Sequence, residues 1–396
     1  MKIFKTIFIL LFCSVFLTGC FDKVELEERA IVLAIGIDKY NEESDTSIEK
    51  TGEEKRFIVS LAMPEVPEGE KTGNTEKQAD PMSKDKQENS INEAVKIAEG
   101  SSVASTMELI DTYMSKNLYY GHTKVVVLGK GILEDDVLLK EVIDSLERNN
   151  EISRKIIVLG TQGNAKEILQ TIPKDEKMLG IYINDFYKNN KKNSFFTYRV
   201  DLEDIIQQLL STGDTVIPNI QVIDKDVRLS GLIALKDSRY IGYLEDATTK
   251  GILWLIDKNS LGEISIPFEK AYVSTSIFKK KVEKKFYEEN NKITCQFLVN
   301  LEGNISEYYL GKNIMIDTEK YKMIEDEISI YVKKEIENAI NNIKSLNIDI
   351  IGLKELIRKN EYNLYDKYNL ENNNIYDYVQ FDIKCNTKIK GSGSIK

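Results

Sequence analysis

Two short apolar runs, each followed by a helical segment, constrain the fold of this chain most. "TKVVVLGKG" (123–131) precedes "ILEDDVLLKEVIDSLERN", and "RKIIVLGTQG" (154–163) precedes "NAKEILQTI". In Val125–Leu128 and Ile156–Leu159 the apolar residues do not alternate with polar ones, which is typical of strands that are buried on both faces. The first half of the chain is therefore predicted to be an α/β region.

Further segments of the first half have recognisable periodicities. The residues 28–40 alternate as in a strand, and a second strand over 55–64 is stopped by Pro64. A capping box of Ser90 and Glu93 predicts a long helix that continues to Tyr113. Between Pro64 and Glu88 there are three Pro, two Gly and many charges but almost no aliphatic residues. This composition predicts a disordered loop near 64–90.

The second half has two other textures. Short strands follow Val216, and Ser230–Leu235 with Tyr240–Leu244 is predicted to form a hairpin. Beyond residue 276, alternating strands flank a long amphipathic helix over about 318–346. The expected fold class is mixed, α+β and α/β, with mixed sheets packed by helices. We predict three domains after a leader over 1–19: an α/β domain (20–212), a β-rich domain (213–275) and an α+β domain (276–396).

The chain begins with the pattern of a bacterial lipoprotein signal peptide. Lys2 and Lys5 precede an apolar run over 7–17 that is too short to span a bilayer, and "LTGC" ends at Cys20. This pattern resembles the lipobox, in which the cysteine receives diacylglycerol on sulfur and an acyl chain such as palmitate on its amino group. The alternatives are a plain signal peptide with an accidental cysteine, or a buried helix. No other apolar run approaches the length of a membrane span.

The charge of the chain bears on its partners. The net charge is −10, with 54 Lys and Arg against 64 Asp and Glu. Removal of residues 1–19 removes two Lys, which gives 52 minus 64, or −12. This balance disfavours a nucleic-acid partner, which usually meets a basic face. An anionic lipid surface repels such a chain, so the lipid on Cys20, and not electrostatics, is expected to hold the protein at the membrane.

Motifs of catalysis are absent from the sequence. It contains no GxGxxG, GxxxxGK[ST], HExxH, GxSxG or CxxC pattern, and no metal site or cofactor is predicted. His122 is the one histidine and the one candidate for general acid–base chemistry. At the entry to a buried strand, a histidine is more often a structural residue. An envelope hydrolase would need His122, or a close pair of carboxylates, in a pocket.

Cys295 and Cys385 lie on the apolar faces of two predicted strands. If those strands are neighbours, a disulfide can form outside the cytoplasm. The alternative is that both are small, buried, apolar side chains. The strand order, which decides between the two, does not follow from the pattern.

Several stretches, taken in order, resemble the Ger(x)C family, the lipoprotein C subunits of spore germinant receptors. After the lipobox, "GCFDKVELEERAIVLAIGID" is similar to the family's opening, with Phe21 where a Trp is usual. The resemblance continues through "GHTKVVVLGKGI", "SRKIIVLGTQGNAKEIL", "SGLIALKDSRYIGYLEDATTKGILWL", "LNIDIIGLKELI" and "VQFDIKCNTKIKGSG". It covers essentially the whole chain after Cys20.

The resemblance implies a role without catalysis. Proteins of this family are lipid-anchored at the outer face of the spore inner membrane. There they act with a polytopic A subunit and a transporter-like B subunit to trigger germination. It also implies three α/β or α+β domains. A solute-binding lipoprotein of a transporter remains the alternative, and it would need two lobes with a polar and aromatic cleft between them.

Overall fold

The computed structural model describes residues 28–41, 54–65, 92–174, 176, 178–189, 198–256, 261–308 and 318–392. The predicted signal peptide and Cys20 lie outside these ranges. So does nearly all of the loop predicted near 64–90, apart from the two residues that end a strand at Glu65.

Among the described residues, eight strands form one mixed sheet in the order β10-β9-β8-β7-β6-β2-β3-β4. A separate parallel pair joins β1 to β5. The strands are β1 Arg29–Ile31, β2 Ala34–Lys39, β3 Phe57–Glu65, β4 Asn92–Gly100, β5 Asn117–Tyr119, β6 Val125–Leu128, β7 Ile157–Gly160, β8 Asp214–Ile223, β9 Asp226–Lys236 and β10 Arg239–Leu244. The helices of this half are α1 Val103–Thr112, α2 Lys130–Leu133, α3 Asp136–Arg148, α4 Ala165–Gln170, α5 Leu179–Asn189 and α6 Leu202–Ser211.

The two unalternated runs form the centre of the sheet. All residues of β6 and β7 are buried, and β2, β6 and β7 are mutually parallel. Their side chains enter two apolar clusters on opposite faces of the sheet. One cluster contains residues of α4 and α5, and the other contains residues of α1, α3 and α6. The prediction of an α/β region with strands covered on both faces is therefore confirmed.

The long helix predicted from Ser90 to Tyr113 is wrong in its first half. Strand β4, Asn92–Gly100, pairs with β3 along its whole length, and the helix α1 begins only at Val103. Its N-cap is Ser102, which forms a capping box with Ser105. The edge of β3 offers nine residues of unpaired backbone, and pairing with them outweighs the local helical pattern.

The predicted hairpin is confirmed as β9 and β10, with Leu235 opposite Tyr240. It extends the large sheet, because β8 runs parallel to β7 at the pair Gly160 and Asn219. The sheet thus continues across residue 212, where the change in sequence pattern predicts a domain boundary. The division into three domains stays a prediction.

The rest of the chain forms a second sheet in the order β11-β12-β13-β14 among the described residues. Its elements, with one helix that precedes them, are α7 Asp246–Leu255, β11 Gly262–Phe268, β12 Ala271–Glu289, β13 Lys292–Tyr308, α8 Thr318–Ser345, α9 Leu353–Asn360, α10 Tyr362–Lys367 and β14 Val379–Ser392. The predicted long helix is α8, and its isoleucine and valine stripe is buried. The mixed α+β and α/β fold class is confirmed.

Helices α7 and α8 approach each other closely. A Cβ at Gly251 would lie 2.4 Å from the carbonyl oxygen of Glu335, so any larger residue would push the helices apart. Trp254 is fully buried and donates its indole N–H to Glu335 at 2.9 Å, and Lys250 pairs with the same carboxylate at 3.0 Å. This contact joins the hairpin half of the large sheet to the helix that covers the second sheet.

Candidate functional site

Three stretches that carry the family resemblance meet at one point. Strands β2, β6 and β7 are parallel, so their carboxyl ends lie at the same edge of the sheet. Asp38 lies near the end of β2, Gly129 follows β6, and Ala165 begins the helix after β7. The sequence patterns identify each stretch separately, and only the parallel order of the strands places them together.

The carboxylate of Asp38 holds the N-terminus of α4. Ala165 donates its backbone N–H to Oδ1 at 2.7 Å, and Lys166 donates to Oδ2 at 2.8 Å. Asp38 is 4% exposed. Burial raises the pKa of Asp38 above its usual value, while the two N–H donors and the charge of Lys166 oppose that shift. Both oxygens are engaged with the backbone, so this carboxylate has a structural role.

Gly129 leaves room for that carboxylate. A Cβ at this position would lie within 2 Å of Asp38 Oδ1, well inside contact distance. The backbone of Gly129 is extended, with φ −71° and ψ 159°, which any residue can adopt. The requirement for glycine here is therefore steric and arises from Asp38.

A second buried carboxylate, nearer the end of the chain, also holds the N-terminus of a helix. Asp349, in the stretch "LNIDIIGLKELI", accepts N–H groups from Leu353 at 2.7 Å and Lys354 at 2.9 Å. Its own N–H donates to Asp214 Oδ2 at 2.7 Å. Burial is the main cause that raises the pKa of both carboxyls. The charge of Asp214 also raises the pKa of Asp349, whereas the N–H of Asp349 lowers the pKa of Asp214. This pair ties the start of β8 to the segment that enters α9.

A cleft of about 630 Å³ opens between α1 and α3, with β5 at one end. Its floor is apolar and includes Phe57, Val103, Met107 and Leu118. Its rim carries the carboxylates of Glu108, Asp111, Glu141 and Asp144, together with Arg148. An apolar floor with a polar rim is the usual anatomy of a binding surface. The sequence patterns give no sign of this cleft, because its walls come from three separate segments.

Most charges on the rim already have partners. Arg148 contacts both oxygens of Asp144 at 2.9 and 2.8 Å, and Arg56 contacts Glu141 at 2.9 Å. Asp111 accepts the backbone N–H of Leu118 at 3.0 Å. Neither Asp38 nor His122 lines the cleft. The arrangement is suited to holding a side chain or segment of a partner.

His122 lies on the surface, and its ring contacts Tyr119 edge to face with 5.6 Å between centroids. The ring of Tyr119 also contacts the guanidinium of Arg29, which lies 4.5 Å from the centroid.

The candidate disulfide residues lie on adjacent strands but out of register. β13 and β14 are parallel, with Cys295 opposite Phe381 and Cys385 opposite Val299. An offset of four residues separates the two cysteines by about 13 Å along the strands. A disulfide requires Cα atoms within about 7 Å. Both thiols are free; Cys295 is buried and Cys385 partly buried, as expected for small apolar side chains.

In the part of the chain that the structure describes, no three His, Cys, Asp or Glu side chains gather closely enough to hold a metal ion. None of the described helices combines the length and the apolar character that crossing a bilayer requires. Cys20 lies outside the described residues, so the structure does not bear on its modification.

Two family models match the chain in succession. The model described as spore germination protein N-terminal domain matches residues 22–222, and the model described as spore germination B3/GerAC-like, C-terminal, matches residues 230–393. Together they span nearly everything after Cys20.

Individual proteins show the same similarity. The chain is 22% identical to spore germination protein KC of Bacillus subtilis (strain 168), over 97% of this chain and 95% of that protein. It is 21% identical to spore germination protein A3 of the same organism, over 74% of this chain and 72% of that one. The crystal structure of the GerBC protein superposes with a TM-score of 0.57 at 15% identity, over 93% of this chain and all of that one. The last comparison supports the fold.

Proposed function

This chain belongs to the GerAC-like family of spore germination proteins, and we propose that it is a non-catalytic, lipid-anchored subunit of a spore nutrient germinant receptor. The proposal rests mainly on one observation: the two family domains follow each other directly after the lipobox pattern. The N-terminal model begins at residue 22, two residues after Cys20, so the leader and the family domains adjoin without an intervening segment.

The absence of catalysis is the second part of the proposal. The family is one of spore germination proteins and not a known class of enzyme. Two of the buried carboxylates, Asp38 and Asp349, are each engaged by two backbone N–H groups. His122 is exposed and does not line the described cleft. The alternative of a solute-binding lipoprotein would need a cleft between two lobes, whereas the described cleft lies between two helices on one face of a single sheet.

The proposed mechanism is scaffolding. Two acyl chains on Cys20 would keep the domains at the outer face of the spore inner membrane, because a single chain gives only marginal binding. Tethering in turn raises the effective concentration of the protein against polytopic A and B subunits. The cleft between α1 and α3 is the proposed contact for one of these partners. Its open shape and apolar floor suit a protruding side chain.

The test compares Cys20→Ala with Cys385→Ala in spores. Cys385 is a partly buried free thiol, so its substitution controls for the loss of a cysteine without touching the anchor. Cys20→Ala should remove the lipid, shown by mass spectrometry of the amino-terminal peptide, and should sharply slow nutrient-triggered germination. Cys385→Ala should be processed and germinate normally. Normal lipidation and germination of the Cys20→Ala strain would contradict the proposal, as would failure of the native protein to co-purify with polytopic subunits.

A further inference from the structure

The second sheet has one face that none of the described helices covers. Its inner face packs on α8, where Val299, Phe297 and Cys295 are buried. The outer face contains the alternate residues of β12, β13 and β14, in cross-strand rows. In one such row Lys279 lies opposite Glu302, which lies opposite Lys388. Neighbouring strands are about 4.8 Å apart and alternate residues about 7 Å apart, so these side chains form one continuous patch.

This patch, which we call the lysine face, is basic on an acidic protein. From the row of Lys279 to the row of Lys285, with Lys390 beside it, the patch contains six lysines and three acidic residues: Lys279, Lys281, Lys285, Lys384, Lys388 and Lys390, with Glu283, Glu302 and Asp382. Beyond these rows the same face of the sheet carries Glu289 opposite Lys292, and Glu307 opposite Ser274. The formal charge of the patch is 6 minus 3, or +3, whereas the whole chain carries −10. The segment "FKKKVEKKFYEE" of β12 supplies Lys279, Lys281 and Lys285, whose side chains lie on the same face of the strand. Lys280 points to the inner face and donates to the carbonyl oxygens of Leu253 and Ile256 at the end of α7.

Ion pairs on the lysine face leave an excess of positive charge. Each carboxylate is engaged by a lysine: Glu302 by Lys279 and Lys390, Glu283 by Lys281, and Asp382 by Lys384. Within the described residues, Lys285 and Lys388 have no ion-pair partner, and both are exposed. Even paired lysines remain open to solvent, since the side chain of Lys281 is 70% exposed. The charge of the face is therefore available to an external anion.

Two aromatic side chains flank the lysines of β12. Phe278 precedes Lys279 at a bulge, and Tyr287 follows Lys285; they are 46% and 39% exposed. Exposed aromatic residues beside lysines are characteristic of surfaces that meet lipid headgroups, because the rings occupy the interface while the ammonium groups contact phosphate.

We propose that the lysine face binds anionic phospholipid headgroups and lays the second sheet against the membrane. This inference rests on the anchoring proposed for Cys20. Eight Cα–Cα steps lead from Cys20 to Glu28, the first described residue, and they span at most about 28 Å. A protein tethered so closely must present some surface to the bilayer. The chain as a whole carries a net charge of −10, which anionic lipid repels, whereas the lysine face is complementary to such lipid in charge.

The experiment uses the full lipidated chain reconstituted into vesicles of phosphatidylcholine, alone or mixed with phosphatidylglycerol. Flotation with the phosphatidylcholine vesicles reports the anchor. Brief acetylation followed by mass spectrometry reports the accessibility of each lysine. Lys281, Lys285 and Lys388 should be acetylated several-fold more slowly when phosphatidylglycerol is present, and high salt should abolish the difference because it screens the attraction. The exposed Lys140 and Lys359, on α3 and α9, serve as internal controls and should not change.

A triple variant tests the charge directly. Lys281→Gln, Lys285→Gln and Lys388→Gln together should remove the protection of Lys384, whereas Lys140→Gln, Lys155→Gln and Lys359→Gln should leave it intact. All six side chains are exposed, so both variants should fold. Equal acetylation in the two kinds of vesicle, with the chain floating, would overturn the lysine-face proposal and leave the anchor standing. Protection only in native spore membranes would assign the face to an acidic protein partner, also against the proposal. Failure to float would refute the anchor, and with it this inference.

Discussion

Replacement of Asp38 by Ala should destabilise the fold far more than the same change at Asp135. Both carboxylates accept two backbone N–H groups at a helix N-terminus. Asp38 does so while buried, at 2.7 and 2.8 Å, and Asp135 does so while partly exposed, at 3.2 and 3.1 Å from Val137 and Leu138. The second oxygen of Asp135 pairs with Lys39 at 2.8 Å. The two sites therefore differ mainly in whether water can replace the lost acceptor.

The magnitude follows from that difference. Loss of the Asp38 carboxylate leaves the buried N–H of Ala165 and the partly buried N–H of Lys166 without an acceptor, at about 1–3 kcal/mol each. Part of this loss is offset, because the substitution also removes a charge from a buried site. The raised pKa of Asp38 indicates that burial disfavours its ionised form. We expect a net loss of about 2–4 kcal/mol in the free energy of unfolding. For Asp135→Ala, where water solvates the freed N–H groups, we expect the loss of an ordinary N-cap, about 1 kcal/mol.

Gly129→Ala should break the same hydrogen bonds of Asp38 from the other side of the contact. Its Cβ would occupy the position of Asp38 Oδ1, so the carboxylate must leave its two donors, and the cost should match that of Asp38→Ala. In the Asp38→Ala variant no carboxylate occupies this position, so the addition of Gly129→Ala should lower the free energy of unfolding only slightly. The double variant should therefore be only slightly less stable than either single variant, with a coupling energy of about 2 kcal/mol or more.

Urea unfolding of residues 21–396, followed by tryptophan fluorescence from Trp254 and by circular dichroism, measures these differences. Coincident transitions from both probes are needed, because a chain of this size can unfold in steps. The reasoning is refuted if Asp38→Ala and Asp135→Ala unfold at the same urea concentration. It is also refuted if the effects of Asp38→Ala and Gly129→Ala simply add.

Two other expectations concern titration and thiols. Burial raises the pKa of Glu93 from 4.5 to about 7, so its contribution to stability is complete below pH 4.5 and is lost as the pH rises through 7. Glu93→Gln should therefore be more stable than the native chain at pH 8 by up to about 3 kcal/mol and nearly equal to it at pH 4.5; a gap independent of pH would contradict this. Denatured without reductant, the protein should take up one alkyl group each at Cys295 and Cys385, whereas buried Cys295 should resist alkylation in the native state; a disulfide-linked peptide pair would contradict the register of β13 and β14.

Much of the fold is predictable from local patterns. The unalternated runs of β6 and β7, the alternation of β13 and the isoleucine stripe of α8 each reflect burial of a strand or helix face by residues close in sequence. Such periodicities survive in any tertiary arrangement that buries the same face. The first part of the predicted helix from Ser90 fails because a neighbouring strand edge, 35 residues earlier in the chain, competes for its backbone.

Much less of the candidate site could be predicted from the sequence. The glycine after β6 and the aspartate near the end of β2 are both visible in the sequence, but their contact spans about ninety residues and depends on three strands being parallel. The cleft between α1 and α3 has the same origin. Local patterns describe which residues are buried, not which buried residues meet.

By itself, the sequence predicted a leader that ends at a cysteine, and it determined the mixed class of the fold and the family. Those properties depend on residues near one another in the chain. Only the tertiary structure decided that Cys295 and Cys385 lie four residues out of register, and that an acidic chain carries a basic sheet face. Net charge is a sum over all residues, whereas a partner meets only the side chains that strand pairing gathers on one surface.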